Sequence, residues 1–304
     1  MKFLDSLYTS TNFRDIIKFY DNFDNKNKLI KWMKNRPKIK PTLVEYDSNL
    51  VHNNYAIVVI PTINSNGKWA KIDKKIFKNL HIIFAENKNR KPSKYFNYAF
   101  AINTGVKLAL EYNPKWIIIS NDDVFKIDNL TKLIKDLNRS EKYDTLFFPK
   151  SNTYSNNVVA AKPEIINLIR PFSYWRRYYA SIVKKFGLKF EILNFKEHSF
   201  IYKNILYNPV IKINHHQGNF IVINSNFINS MGNKIFDSTF INGHEDTWLS
   251  YRYLQSSNFK LSSFNIGAYT GSSLGTGINR AFREIANEVY FEHLIEKYVS
   301  DTHK

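Results

Sequence analysis

The chain contains no cysteine. That absence excludes a disulfide framework, a thiolate zinc site and a cysteine nucleophile together, and it fits a reducing compartment without requiring one. No apolar run reaches the ~18–20 residues of a membrane-spanning helix. The first residues, MKFLDSLYTSTNF, hold neither an apolar stretch nor a small-residue cleavage site, so no signal peptide is expected. The expectation is a cytoplasmic protein, with peripheral attachment to the cytoplasmic membrane face left open. Glycine is scarce, at 10 residues in 304, and forms neither a P-loop nor a G-x-G-x-x-G fingerprint. Residues 271–277 (GSSLGTG) lack the lysine of a P-loop and read as a lid or turn. Acidic residues are few: 26 Asp and Glu stand against 44 Lys and Arg, for a formal net charge of +18. Such a balance favours polyanionic neighbours such as nucleic acid, an anionic membrane face or phosphorylated substrates. A chain skewed throughout toward Lys, Asn and Ile accounts for it equally well.

What is present is a globular composition. Hydrophobic residues make up 43% and aromatics 16% of the chain, too many for a disordered protein. Phe13, Ile16, Ile17 and Tyr20, then Leu29, Ile30 and Trp32, recur at helical spacing, and Pro37 and Pro41 end the pattern. This predicts a helical N-terminal extension followed by a linker. Four short apolar runs come next, at residues 55–60 (YAIVVI), 80–85 (LHIIFA), 116–119 (WIII) and 145–148 (TLFF). Each reads as a buried strand. Between them, residues 94–112 form a helix with Ser93 as its cap and Ala99, Ile102, Val106, Ala109 and Leu110 as its apolar stripe. Strands alternating with helices predict an α/β fold built on an open, mostly parallel sheet.

Ligands of such sheets bind beyond the carboxyl ends of the strands. The polar clusters Pro61-Thr62, Glu86-Asn87 and Asn121-Asp122-Asp123 all fall there. Adjacent carboxylates repel, and a hard divalent cation relieves that; the alternative is that Asp122 and Asp123 are turn formers or caps. Farther on, a strand is expected at 220–228, a helix at 247–254, a strand within 260–266 and a last helix at 279–298. Gly243-His244-Glu245-Asp246 precedes the helix at 247–254, so its carboxylates serve either as a cap or as a general base. At most one of His215 and His216 can line a site, since neighbours on a strand face opposite ways; His244 could touch an acceptor. Residues 172–187 form a basic, aromatic helix, either interfacial or packed on the sheet.

Taken in order, these motifs resemble the family 2 glycosyltransferases, with their GT-A fold, over roughly residues 53–275. The resemblance rests on the strand ending at Pro61-Thr62, the strand ending at Glu86-Asn87, and the helix run from Asn97 through Asn103 to Gly105. It rests further on Ser120-Asn121-Asp122-Asp123-Val124 with Asp128, on Ile235 to Phe240, and on Gly243-His244-Glu245-Asp246 with Arg252. It implies a helical extension over 1–52, a catalytic domain over 53–275 (a nucleotide-sugar half at 53–150 and an acceptor half at 151–275) and a C-terminal helix over 276–304. It implies a hexosyltransferase-like enzyme using a nucleoside diphosphate sugar and Mn²⁺ or Mg²⁺, with Asp123 and Asp122 on the metal. Pro61, Thr62, Glu86, Asn87, Asn97, Asn103 and Asp122 would face the nucleotide sugar. Asp246, beside Glu245, would deprotonate a glycan or lipid-linked acceptor in a single inverting displacement. Three departures stand out: Glu86 replaces an Asp, Ile102 stands where a basic residue is common, and no His follows the last strand. His216 or a water would then complete the metal shell. The other readings are a sugar-phosphate nucleotidyltransferase, a glycosyltransferase fold that only binds, and a basic nucleic-acid-binding protein; no nucleic-acid partner is expected from the acidic motifs.

Overall fold

A computed structural model describes residues 4–6, 26–47, 55–87, 95–126, 128–148, 154–155, 159–161, 200–202, 205–207, 210–212, 215–216, 218–254, 256–268 and 280–302. The chain divides into two compact units, Met1–Ser155 with Asn214–Phe291, and Asn156–Ile213 with Glu292–Lys304. In chain order, the first unit begins with α1 (Lys26–Asn35), β1 (Thr42–Tyr46), β2 (Ala56–Thr62), α2 (Lys68–Ile76), β3 (His81–Glu86), α3 (Tyr98–Glu111), β4 (Trp116–Ser120), β5 (Val124–Lys126), α4 (Leu130–Asn138), β6 (Thr145–Phe147) and β7 (Tyr154–Ser155). The second unit holds two antiparallel pairs, β8 (Val159–Ala161) with β11 (Val210–Lys212) and β9 (Phe200–Tyr202) with β10 (Ile205–Tyr207). The first unit resumes with β12 (His215–His216), β13 (Phe220–Asn224), α5 (Ser225–Ser230) and α6 (Glu245–Leu249), which runs into a π turn (Ser250–Leu254). Then come β14 (Phe259–Leu261), β15 (Ile266–Ala268) and α7 (Arg280–Thr302), whose residues from Glu292 on belong to the second unit.

The core is a seven-stranded sheet of order β1-β3-β2-β4-β13-β6-β14. β3, β2, β4, β6 and β14 run one way, and β1 and β13 run the other. The mixed, mostly parallel α/β sheet predicted from the apolar runs is therefore the one observed. The runs are continuous because the strands are covered on both faces. Val58, Ile60, Ile82, Phe84, Ile118 and Val222 pack on one face with Ala70 and Ile76 of α2 and Leu133 and Leu137 of α4. Their neighbours Ile57, Val59, Ile83, Ile117, Ile119 and Ile221 pack on the other with Ala99, Ile102, Val106 and Ala109 of α3.

Three details differ from the sequence reading. Residues 42–46, expected in a linker, form an edge strand antiparallel to β3, from Thr42 opposite Glu86 to Tyr46 opposite Ile82. Pro41 just precedes this strand, where a missing N–H removes nothing from the ladder. The strand expected over 220–228 stops at Asn224, because that side chain accepts the Asn226 N–H and caps α5. The cap of α3 is Asn97, which accepts the Phe100 N–H at 2.7 Å, so the helix starts later than expected; Ser93 and the segments 172–187 and 271–277 lie outside the described residues.

Gly105 lets α3 approach the sheet closely. A Cβ there would stand 2.5 Å from Val59 Cγ1. Val59 is β-branched and buried, so it has no room to swing away. Gly105→Ala is expected to lower stability by about 1–3 kcal/mol through overpacking, measured as the midpoint of a urea unfolding curve; an unchanged midpoint would show that α3 shifts freely.

Candidate active site

The strand order sets the location of the site. From β2 the chain passes to β3 on one side and then to β4 on the other. The crevice at this reversal lies between the carboxyl ends of β2 and β4, the usual ligand position in an open α/β sheet. β2 stays paired with β3 as far as Thr62 opposite Glu86, but its pairing with β4 ends at Val59 opposite Ile119. Pro61 thus lies beyond the ladder with β4, where its missing N–H leaves no gap on that side. Thr62 and Asp122 meet across the opening: Thr62 Oγ1 donates to Asp122 Oδ2 at 2.9 Å. Burial pushes the Asp122 carboxyl up to about 6, with the Thr62 bond opposing and the Asp123 charge adding to the rise.

Glu86 and Asn87 shape the same edge. Glu86 Oε2 accepts the Ser65 N–H at 3.1 Å and the Ser65 hydroxyl at 2.5 Å, and the Asn87 N–H donates to the Thr62 carbonyl at 2.8 Å. Through one carboxylate oxygen Glu86 thus fixes the loop that follows β2.

The second acidic motif arrives through β13. Because β13 is antiparallel to β4, with Phe220 opposite Ser120, the start of β13 lies at the edge where β4 ends. The Asn121 N–H donates to the Asn219 carbonyl at 2.9 Å. One residue earlier, the Gly218 N–H donates to Asp246 Oδ2 at 2.8 Å, while Asp246 Oδ1 accepts the Thr247 N–H at 2.8 Å. Asp246 is thus held at the edge that carries Asp122 and Asp123. Its neighbour Glu245 is 6% exposed; burial, then the Asp246 charge, pushes its carboxyl up to about 7 against backbone hydrogen bonds and, last, the pull of Arg283. His244 takes a left-handed backbone, φ 69°, to enter α6, and caps it through no side-chain bond.

Tyr98 joins the two motifs. Its hydroxyl donates to the Gly218 carbonyl at 2.5 Å. Burial raises its ionisation well above the ordinary tyrosine value, and the charges of Glu245, Asp246, Asp123 and Asp122 raise it further, so it stays a neutral donor among the carboxylates. Sequence reasoning passed over Tyr98 although it directly follows Asn97; an aromatic residue at the start of an apolar stripe looks like core. It also passed over Ser65, Gly218 and Asp73. Asp73 stands on the inward face of α2, fully buried with neither carboxylate oxygen hydrogen-bonded, and is pushed up to about 9 by burial and then by the Asp122 and Asp123 charges.

Other candidates make hydrogen bonds that hold parts of the fold. Asn97 donates to the Ser238 and Phe240 carbonyls at 3.1 and 2.7 Å, which commits both of its N–H groups. Asn103 accepts from the Ile235 and Phe236 N–H groups at 3.1 Å and donates to the Phe236 carbonyl at 2.7 Å. Both hold the loop that leads to Glu245 and Asp246. Asp128 accepts from Lys132 Nζ and from the Asn265 backbone and side chain, all at 2.8 Å. His216, considered above as a replacement metal ligand, is 1% exposed, with its ring 3.7 Å from that of Phe147.

The donor set suits a hard cation. Asp122 and Asp123 offer oxygen ligands of the kind Mg²⁺ and Mn²⁺ prefer. Among the described residues no three His, Asp or Glu side chains lie close enough to hold an ion together, so water and ligand oxygens would complete such a shell. Among the same residues no helix is long and apolar enough to cross a membrane.

No family model matches the chain, and no curated protein matches it. Among solved structures it is similar to A197 from STIV, at 13% identity and a TM-score of 0.36, over 70% of this chain and 85% of that one. It is also similar to 4-diphosphocytidyl-2C-methyl-D-erythritolsynthase from Anaerococcus prevotii DSM 20548, at 9% identity and a TM-score of 0.32, over 80% of this chain and 99% of that one. Both scores are too low to bear on what this chain does; its fold rests on its own strand order and register.

Proposed function

We propose that this chain is a glycosyltransferase that moves a sugar from a nucleoside diphosphate sugar to an acceptor hydroxyl. The observation that carries the reading is that two acidic motifs, more than a hundred residues apart, come to the same edge of the sheet. Asp122 and Asp123 follow β4, where Asp122 meets Thr62 of β2, and Asp246 is tied to the start of β13, the strand on the other side of β4. Two carboxylate groups of separate function suit this chemistry: one set for a cation on the departing diphosphate, one to take the acceptor proton.

Asp122 and Asp123 would hold Mn²⁺ or Mg²⁺, which when bound offsets charge on a leaving diphosphate. Thr62 orients Asp122, and Ser65 with Glu86 holds the loop that would face the nucleoside. The Gly218 N–H on one oxygen and the Thr247 N–H on the other hold the Asp246 carboxylate in place as the general base. Inversion at the sugar carbon follows if the acceptor attacks from the Asp246 side while the diphosphate leaves toward Asp123. A glycan or lipid-linked acceptor fits the net charge of +18, with peripheral attachment at an anionic membrane face.

Thermal unfolding tests this with nucleoside diphosphates, nucleoside triphosphates and sugar nucleotides, each with and without Mn²⁺. A ligand at a hundredfold excess over its dissociation constant adds about 2.7 kcal/mol of stability. The expected result is a Mn²⁺-dependent rise with one nucleoside diphosphate family, lost in Asp123→Ala. A rise confined to triphosphates would favour a nucleotidyltransferase, and no rise with any nucleotide would sink the donor site.

A further inference from the structure

The Asp246 carboxylate is held by one bond from its own helix and one from outside it. The Thr247 N–H on Oδ1 comes from the next residue and travels with α6. The Gly218 N–H on Oδ2, at 2.8 Å, ties the group to the sheet edge. The carboxylate packs against Gly218: a Cβ built there would meet Asp246 Oδ2, Cβ and Cγ at 3.4, 3.5 and 3.6 Å. A glycine has no Cβ to restrict its backbone, so the direction of that N–H must be set from elsewhere. Tyr98, the first residue of α3, supplies the constraint: its hydroxyl donates to the Gly218 carbonyl at 2.5 Å. Tyr98 is itself anchored, with its N–H on Asn242 Oδ1 at 2.7 Å and its ring 5.8 Å from that of Phe236. The Asp246 backbone is tied to the same segment. The Ser250 hydroxyl donates to the Asp246 carbonyl at 2.8 Å and accepts the His216 N–H at 3.1 Å. His216 and Gly218 thus hold Asp246 by backbone and side chain together, and the Tyr98 hydroxyl pins Gly218 to α3.

We propose that Tyr98 is a positioning residue for Asp246: by fixing Gly218 it aims the carboxylate at the acceptor hydroxyl. This rests on the reading of Asp246 as the general base. In that step the acceptor oxygen bonds to the sugar carbon as its proton passes to Asp246. The bond to the diphosphate breaks, and its electron pair leaves on the diphosphate oxygen. A carboxylate free to swing takes that proton less often, whereas the donor keeps its own contacts. Loss of the Tyr98 hydroxyl therefore slows turnover and spares donor binding. Tyr98→Phe isolates this effect, because it keeps the ring beside Phe236 and the N–H on Asn242.

The test uses the full chain. Labelling with [¹⁵N]glycine marks 10 residues, and Gly218→Ala, whose methyl makes ordinary van der Waals contacts, identifies the Gly218 signal. A carboxylate acceptor shortens and strengthens the bond from an N–H and shifts the amide proton downfield. The Gly218 signal moves upfield in Asp246→Asn and in Tyr98→Phe, while most other glycine signals stay in place. In parallel, release of nucleoside diphosphate to water is followed from uridine, guanosine, cytidine, thymidine and adenosine diphosphate sugars with Mn²⁺. Turnover (kcat) falls about 10–100-fold in Tyr98→Phe, with KM unchanged, and by about 100-fold or more in Asp246→Asn. An unmoved Gly218 signal or an unchanged kcat in folded Tyr98→Phe overturns the inference and leaves Asp246 as the base. Failure of Tyr98→Phe to fold also overturns it, by making the hydroxyl a structural group. Release that survives in Asp246→Asn, or no release by wild type, overturns the base reading and the inference with it.

Discussion

Replacing Asn97 by alanine is expected to lower stability by about 3 kcal/mol or more and to leave much of the chain insoluble. Three bonds are lost together. The Phe100 N–H loses its cap acceptor, which typically costs about 1 kcal/mol. The Ser238 and Phe240 carbonyls lose their donors, and a buried carbonyl left unbonded costs about 1–3 kcal/mol. The effect reaches beyond α3, because residues 235–242 are held by α3 at several points: Asn103 binds Ile235 and Phe236, and the Tyr98 N–H donates to Asn242 Oδ1 at 2.7 Å. Loosening this loop frees the segment that presents Glu245 and Asp246. Asn97→Ser separates the contributions, since serine keeps a cap acceptor and loses both loop donors. Thermal unfolding should place it between wild type and Asn97→Ala; a serine variant as stable as wild type would refute the loop's dependence on Asn97.

The metal-free protein should be more stable near pH 5 than near pH 8. Three carboxyls stand above their ordinary values in the folded chain: Asp122 at about 6, Glu245 at about 7 and Asp73 at about 9. Burial is the leading cause for each. A carboxyl raised on folding binds its proton more tightly in the folded state. Its contribution is fully present below the unfolded value of about 4 and is lost as the pH rises through the folded one. The slope is at most about 1.4 kcal/mol per pH unit for each titrating group. Asp128 acts the other way, lowered first by the Lys132 bond and then by the Asn265 N–H, but its window lies below 3.8, outside this range. Scans should be run at raised salt to screen the general repulsion of a chain of charge +18. Glu245→Gln should flatten the curve between about pH 5 and 7, and saturating Mn²⁺ should flatten it by favouring ionised Asp122. Metal-free stability that climbs from pH 5 to pH 8 would mean that these acids are not raised.

The strands were visible in the sequence because burial on both faces leaves an unbroken apolar run, as in residues 56–60 and 116–119. The acidic pair at Asp122 and Asp123 was visible for a related reason: polar residues that abruptly end such a run must sit at a strand terminus. Asn97 was visible as a motif residue, but its bonds to the Ser238 and Phe240 carbonyls were not. An asparagine before a helix serves equally as a cap, a loop clamp or a ligand contact, and the sequence offers no sign of which carbonyls its amide will meet. The burial of His216 was hidden for a similar reason, since a histidine stacked on Phe147 and one lining a site look identical in one dimension.

By itself, then, the sequence determined the α/β class, the positions of the main strands, the absence of thiol chemistry and of a glycine-rich phosphate loop, and the acidic ends of the strands. These follow from local composition and period, which neighbouring residues carry among themselves. Only the tertiary structure decided that Thr42–Tyr46 forms the sheet edge, that β13 enters antiparallel beside β4, and that Gly218 therefore hands Asp246 to the edge that holds Asp122. It alone buried Asp73. Each of these depends on strand order and register between segments far apart in the chain, where the driving force is burial of whole faces rather than the preference of any one residue.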